Sequence, residues 1–271
     1  MSAARSARLA TTCKAWVESA QTIANASVGK RSLLIVPPVS PPLSLENGDN
    51  GDRSSARRRF IAWRQQIAPD LRAQSDALLC DSVWRLLHSL IAQPGRVVIG
   101  AYWPIQAEPD LRPLYDRIWQ FGAQADWQLA LPKVIGKGQP LVFGRLLRGG
   151  ALRPAGFGVQ IPEPFLAIEP DLLIIPCVAF RADGYRLGYG GGYFDRTLAQ
   201  RTLADRTLVD RTHADVTRAH RGLRTIGVAY DECEWPDYQP QAHDHKLDWL
   251  VTPSQTLTSV VPAASCARET R

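Results

Sequence analysis

The segment RLGYGGGYFDR, residues 186–196, is where residue types and spacing most directly imply chemistry. Gly188, Gly190, Gly191 and Gly192 allow positive φ and a close approach of backbone to ligand. Successive N–H groups in such a turn form an anion-binding nest, and a helix starting at Tyr193 would aim its N-terminus at the same place. Arg186 and Arg196 flank the run with forked donors suited to phosphate oxygens. Asp195 stands at its edge, where a carboxylate can hold Mg²⁺ beside nucleotide phosphates. Glycines alone would fit a tight strand–helix turn kept for packing; the charged residues in the same stretch favour phosphate binding. No Gly-Lys-Ser/Thr follows, so this is not a Walker A loop. The G-x-G-x-x-G spacing of a dinucleotide fold is also missing, although GYGGG is close enough to keep a dinucleotide-dependent oxidoreductase open. That alternative needs an acidic ribose ligand, and Asp231 lies about 40 residues past the loop where about 20 is usual.

A loop of this kind needs a strand before it and a helix after it. DLLIIPCVAF (171–180) supplies the clearest buried strand in the chain. Further strands are predicted over 96–103, 127–134, 141–146, 223–230 and 247–253. Helices are predicted over 56–67, where Phe60, Trp63 and Ile67 form one apolar stripe, and over about 70–92. A third is predicted over 108–122, with Asp110 as N-cap and Gly122 at its end. Residues 156–164 read as a Gly/Pro-rich connection. The alternation predicts a three-layer α/β domain over 56–253, with a mostly parallel, Rossmann-like sheet and helices on both faces.

Residues 1–55 lack helical or strand periodicity, and Pro37-Pro38 and Pro41-Pro42 interrupt any helix. They read as a disordered extension, untargeted rather than a transit peptide, and 254–271 reads as a flexible C-terminal tail. After the glycine loop, DRTLA, QRTLA, DRTLV, DRTHA and DVTRA recur every five residues from 195 to 219. A five-residue step turns an α-helix by about 140°, so the repeated leucines cannot share a face. The repeat reads as a polar, partly helical insert of about 197–220. The net charge of +6 suits an anionic partner without choosing among nucleotide, coenzyme and nucleic acid. A non-catalytic basic nucleic-acid binder is therefore a third reading, but no helix-turn-helix, zinc-finger or RNA-binding signature supports it. Five cysteines without a CxxC pair favour free thiols in a reducing compartment. No apolar run approaches the ~20 residues of a membrane span.

PCVAFRADGYRLGYGGGYFDRTLA (176–199) resembles the signature of the 5-formyltetrahydrofolate cyclo-ligase family. Three other stretches resemble the family in order: the Arg-rich segment 57–64, AYWPIQAEPD (101–110) and GVAYDECEWPDYQPQAHDHKLDWLVTP (227–253). The resemblance implies an ATP- and Mg²⁺-dependent ligase of folate metabolism. Its substrate would be 5-formyltetrahydrofolate, and it would act as a cytoplasmic monomer with no nucleic acid or membrane partner. Phosphorylation of the formyl oxygen would be followed by attack of N10. The resemblance further implies that Arg57, Arg58, Arg64 and the loop Arg186, Leu187, Gly188, Tyr189, Gly190, Gly191, Gly192, Tyr193 and Phe194 bind ATP. Arg186, Tyr193 and Asp195 would act in catalysis. Asp195 and Asp244 would hold Mg²⁺, while Trp103 and Glu108 would meet the pterin. Taken alone, Asp244 reads as a solvated loop carboxylate and Trp103 as core. The chain departs from the family pattern at Arg181, usually Asp, at Phe194, usually Tyr, and at Cys233, usually Gln.

Overall fold

The computed structural model describes residues 52–91, 95–208 and 222–259. The predicted extension lies almost entirely outside them, as do Cys13, Cys266 and the insert beyond 208. Helix α1 (Arg53–Gln65) starts three residues earlier than predicted, because the Asp52 carboxylate accepts from the N–H groups of Ser54 and Ser55 at 2.9 and 3.0 Å. Its buried face is Ala56, Phe60, Trp63 and Arg64. Helix α2 (Pro69–Leu90) begins with proline, whose missing N–H costs nothing there.

Strand β1 (Val97–Gly100) is shorter than the predicted 96–103. Beyond Ala101 the chain leaves the sheet, and Glu108 N–H closes a turn on the Ile105 carbonyl at 2.9 Å. Helix α3 (Arg112–Ala125) therefore starts four residues later than predicted. Asp110 is not its N-cap; its carboxylate accepts from the Arg112 N–H at 3.0 Å and from the Arg112 guanidinium. Gly122 lies inside the helix, where a Cβ would meet the Trp127 carbonyl oxygen at 2.5 Å. The helix ends instead at Asp126, in the left-handed region.

Strands β2 (Trp127–Val134) and β3 (Leu141–Leu146) form where predicted. The predicted connection 156–164 holds a short 3₁₀ turn, Gly156–Gly158, and strand β5 (Gln160–Glu163), which pairs with β4 (Ala151–Pro154). The predicted strand 171–180 is two strands. Strand β6 (Leu172–Pro176) lies in the main sheet, while β7 (Ala179–Phe180) pairs antiparallel with β8 (Arg186–Leu187). Helix α4 (Tyr193–Leu208) runs from the glycine loop into the pentapeptide repeat. Strands β9 (Arg224–Val228) and β10 (Trp249–Val251) follow. A final strand, β11 (Thr256–Thr258), pairs antiparallel with β10 and occupies part of the segment read as a flexible tail.

The main sheet has the order β11-β10-β9-β6-β1-β2-β3. Strands β10, β9, β6, β1 and β2 run parallel, and β3 and β11 close the edges antiparallel. Alternate side chains feed two cores. Ile99, Leu129, Ile174 and Ile226 pack with Leu79, Val83 and Leu87 of α2 and Leu114 and Ile118 of α3. Val98, Ala130, Leu173 and Ile175 pack with Phe60 and Trp63 of α1 and Leu198 of α4. The predicted three-layer, mostly parallel α/β fold is what forms. Numbered among themselves, the parallel strands run 2-1-3-4-5, so the winding reverses between β1 and β6. Ligands of doubly wound sheets bind at the carboxyl ends of the strands at such a switch point. The segments leaving β1 (101–108) and β6 (177–196) diverge there.

Candidate active site

The β7–β8 hairpin carries the chain from the carboxyl end of β6 to the glycine loop. Gly190 and Gly192 have φ of +90° and +63°, the left-handed conformations that the loop's glycines permit. Helix α1 lies against this loop. The Arg57 Nε donates to the Gly188 carbonyl at 2.6 Å, and its guanidinium lies 3.1 Å from where a Cβ on Gly190 would stand. Arg196 donates to the Gly191 carbonyl and covers the Tyr193 ring, its guanidinium 5.2 Å from the centroid. These arginines shape the loop from both sides.

Asp195 sits in the first turn of α4, and Arg186 donates to its Oδ1 at 2.8 Å. Arg186 is buried, and its Nη1 also donates to the His245 carbonyl at 3.1 Å. Its guanidinium thus orients Asp195 and pins the closing segment. The His245 N–H approaches the same Asp195 oxygen at 3.5 Å, which brings 243–245 to the loop. Asp244 is deeper, its side chain 4% exposed. Arg53 donates to its Oδ1 at 3.1 Å, while Tyr238 Oη and the Gln241 N–H donate to Oδ2 at 2.9 and 2.8 Å. Burial pushes the Asp244 carboxyl up, but these donors outweigh it and hold it below the ordinary carboxylate range.

Glu108 is buried on the other flank. It accepts from the Ile105 N–H at 2.9 Å. Burial raises its carboxyl to about 7, against the opposing pull of Arg64, the Ile105 N–H and the Tyr189 hydroxyl. Arg64, 1% exposed, donates from Nε to the Gln106 carbonyl at 2.9 Å and from Nη2 to the Tyr189 hydroxyl. Trp103 is half-buried, with the Arg112 guanidinium 5.4 Å from its ring centroid.

The structure therefore gathers Arg57, Arg64, Arg186, Gly188 to Tyr193, Asp195, Asp244 and Glu108 around the switch point. It does not bring Arg58 there. That side chain is 69% exposed and bonds Ser54 and Ser55 Oγ of its own helix at 2.9 and 2.8 Å, because it falls on the solvent face of α1. Leu187 contributes backbone only, its side chain being fully buried, and Phe194 packs on the core. Arg64 lies on the buried face of α1 with Phe60 and Trp63. Asp231, the alternative's ribose ligand, accepts instead from the Thr252 and Ser254 hydroxyls of the turn after β10. The parallel-strand order likewise differs from the 3-2-1-4-5-6 of dinucleotide folds.

Sequence reasoning missed Arg53 and Tyr238. Arg53 lies one turn before Arg57 on the same helix face. It escaped notice because the helix was read as starting at 56. Arg181, a departure from the family pattern, braces Tyr238: its Nη1 donates to the Tyr238 carbonyl at 2.7 Å while its fork grips Asp183.

Among the described residues no group of three or more His, Cys, Asp or Glu forms a metal cage. Mg²⁺ beside phosphates needs only one or two carboxylates, the remaining ligands being water and phosphate oxygens. Asp195 fits that role: among the described residues its hydrogen bonds fall on Oδ1, which leaves Oδ2 for a metal. Asp244, with both oxygens engaged, fits less directly.

A doubly wound sheet with a glycine-rich loop at its switch point has the layout of a ligand-binding α/β protein. The chain belongs to the 5-formyltetrahydrofolate cyclo-ligase family, whose profile matches residues 49–253. It is 29% identical over 171 residues to a 5-formyltetrahydrofolate cyclo-ligase of Mycolicibacterium smegmatis, covering 61% of this chain and 78% of that one. It is 27% identical over 173 residues to the Escherichia coli K12 protein of the same name, covering 58% and 78%. The fold matches the Aquifex aeolicus 5,10-methenyltetrahydrofolate synthetase at a TM-score of 0.59 and 25% identity, over 80% of this chain and 97% of that one.

Proposed function

We propose that the protein catalyses the ATP- and Mg²⁺-dependent closure of 5-formyltetrahydrofolate to 5,10-methenyltetrahydrofolate. The observation that carries this reading is the meeting, at one switch point, of an arginine-braced glycine loop and the buried carboxylate Glu108. The first suits the phosphates of ATP and the second the N–H donors of a pterin ring. The formyl oxygen on N5 is a poor leaving group. Transfer of the γ-phosphoryl group to it, with ADP leaving, allows N10 to attack the formyl carbon; the oxygen departs as inorganic phosphate and N10 loses its proton.

Each residue has a defined part in this scheme. Backbone N–H groups of 188–192 cradle phosphate oxygens, with Arg57 and Arg53 beside them as cations. Arg186 aims Asp195. The carboxylate of Asp195 would hold Mg²⁺, which supplies charge neutralisation to the transferring phosphoryl group, with Asp244 behind it fixing the closing segment. Tyr193 lines the loop at the start of α4, Glu108 orients the pterin, and Trp103 offers it a ring face. Phosphoryl transfer rests mainly on such positioning and electrostatic stabilisation.

Cys80, Cys177 and Cys233 are buried free thiols, which suits a reducing compartment such as the cytoplasm. No helix among the described residues is long and apolar enough to cross a membrane. We read the protein as a monomer, which gel filtration tests directly. The reaction is tested by mixing purified protein with 5-formyltetrahydrofolate and following near-ultraviolet absorbance. Growth of the methenyl product band only with Mg-ATP is expected; no product from folded protein refutes the reading.

A further inference from the structure

Arg64 is the most deeply buried charged side chain in the described residues. Its contacts run to separate pieces of chain. Nε donates to the Gln106 carbonyl at 2.9 Å, Nη2 donates to the Tyr189 hydroxyl, and the guanidinium lies 5.4 Å from the Tyr189 ring centroid. Its charge also acts on Glu108. The Gln106 carbonyl is supplied by a backbone held at positive φ, 46° at Gln106 and 57° at Ala107, without glycine at either position. Such conformations persist where surrounding contacts enforce them, and they cluster at ligand clamps.

Two groups in this cluster have unused or directional capacity. Arg64 Nη1 is buried with no acceptor among the described residues, a costly state that a bound ligand's oxygen would relieve. The Tyr189 hydroxyl, having accepted from Arg64, still carries a proton to donate. Tyr189 also sits between Gly188 and Gly190, so fixing its hydroxyl fixes the backbone of the phosphate nest.

We propose that Arg64 and Tyr189 form a relay between the turn that carries Gln106 and Glu108 and the glycine loop, coupling the two halves of the site. A folate seated against Glu108 and a nucleotide in the glycine loop each favour the same arrangement of Arg64 and Tyr189, so each tightens the other. The Tyr189 hydroxyl is the transmitting group and Tyr189 a positioning residue. This rests on the assignment of the two ligands made above. The coupling is reciprocal, as linkage requires.

The test uses the full chain. Binding of a non-hydrolysable ATP analogue with Mg²⁺ is measured calorimetrically, alone and with saturating 5-formyltetrahydrofolate, and the titration is repeated in the reverse order. In the native protein each ligand is expected to tighten the other by about 5- to 100-fold, the usual range of such couplings. Tyr189→Phe keeps the ring and its cation–π contact. It should reduce the factor to within about twofold of unity while each ligand alone still binds, since damage to a merely structural group would weaken both ligands and leave their ratio intact. Arg64→Lys, which cannot hold Gln106 and Tyr189 together, should also bring the factor near unity, with weaker binding of the ligand that Nη1 would meet, and stands in if circular dichroism shows Tyr189→Phe to be unfolded. An unchanged factor in the variants, or no coupling in a native protein that binds both ligands, overturns the relay. Failure of either ligand to bind the native protein removes the functional reading, and the relay with it.

Discussion

Replacing Glu108 with glutamine should make the protein more stable at neutral pH and worse at its task. The Glu108 residue is 4% exposed, and burial carries its carboxyl from an ordinary 4.5 to about 7. Between those values the folded protein holds a proton that the unfolded chain has released. The stabilisation from the neutral buried acid is therefore complete below pH 4.5 and is lost as pH rises through about 7. The gap, at about 1.4 kcal/mol per pH unit, amounts to about 3 kcal/mol. Glutamine has nearly the same shape and keeps an oxygen for the Ile105 N–H, but it never ionises. The difference in unfolding free energy, variant minus native, should grow by about 3 kcal/mol between pH 4.5 and pH 8. Urea titrations of both proteins across that range measure it, because every other titrating group, including Asp76 at about 6, is common to both and cancels. A difference that stays flat with pH would refute the burial argument. Folate binding should weaken by about tenfold or more in the same variant, since a hydrogen bond to a charged group contributes ~1.5–3 kcal/mol.

Asp195→Asn keeps a hydrogen bond to Arg186 but loses the metal-holding charge. Steady-state turnover should fall by about 100-fold or more with a melting temperature within a few degrees of native, and near-native turnover would count against the metal role. Gly190→Ala places a Cβ at φ +90° and 3.1 Å from the Arg57 guanidinium. It should cost about 1–3 kcal/mol in thermal or urea unfolding and weaken nucleotide binding more than folate binding. Arg53→Ala leaves the Asp244 carboxylate buried without its cation, for a loss of about 3 kcal/mol in urea unfolding. Adding Asp244→Asn should recover part of that loss.

The sequence by itself determined the layers and the loop. Continuous apolar runs such as 172–176 bury both faces of a strand, and the period of Phe60 and Trp63 fixes the inner face of α1. The glycines of 188–192 and the flanking Arg186 and Asp195 marked the candidate site, because glycine at successive positions permits the positive φ that the loop adopts. The short strands β4, β5 and β11 were not legible. At three or four residues, each depends on cross-strand partners rather than on its own propensity.

Tertiary structure alone decided which polar side chains face the site. Arg57, Arg58 and Arg64 look alike in the chain, yet the helix turns one to the loop, one to solvent and one into the core. It also decided what each carboxylate does. Asp195, Asp244 and Glu108 are chemically similar, but Arg186 aims the first, Arg53 and Tyr238 engage the second, and burial in the turn before α3 lifts the third toward neutrality. Those outcomes depend on neighbours that lie from 6 to 191 residues away in sequence, as Asp244 does from Tyr238 and from Arg53. Local pattern encodes which face of an element is apolar; the electrostatic environment of a group is set by whatever the fold packs beside it.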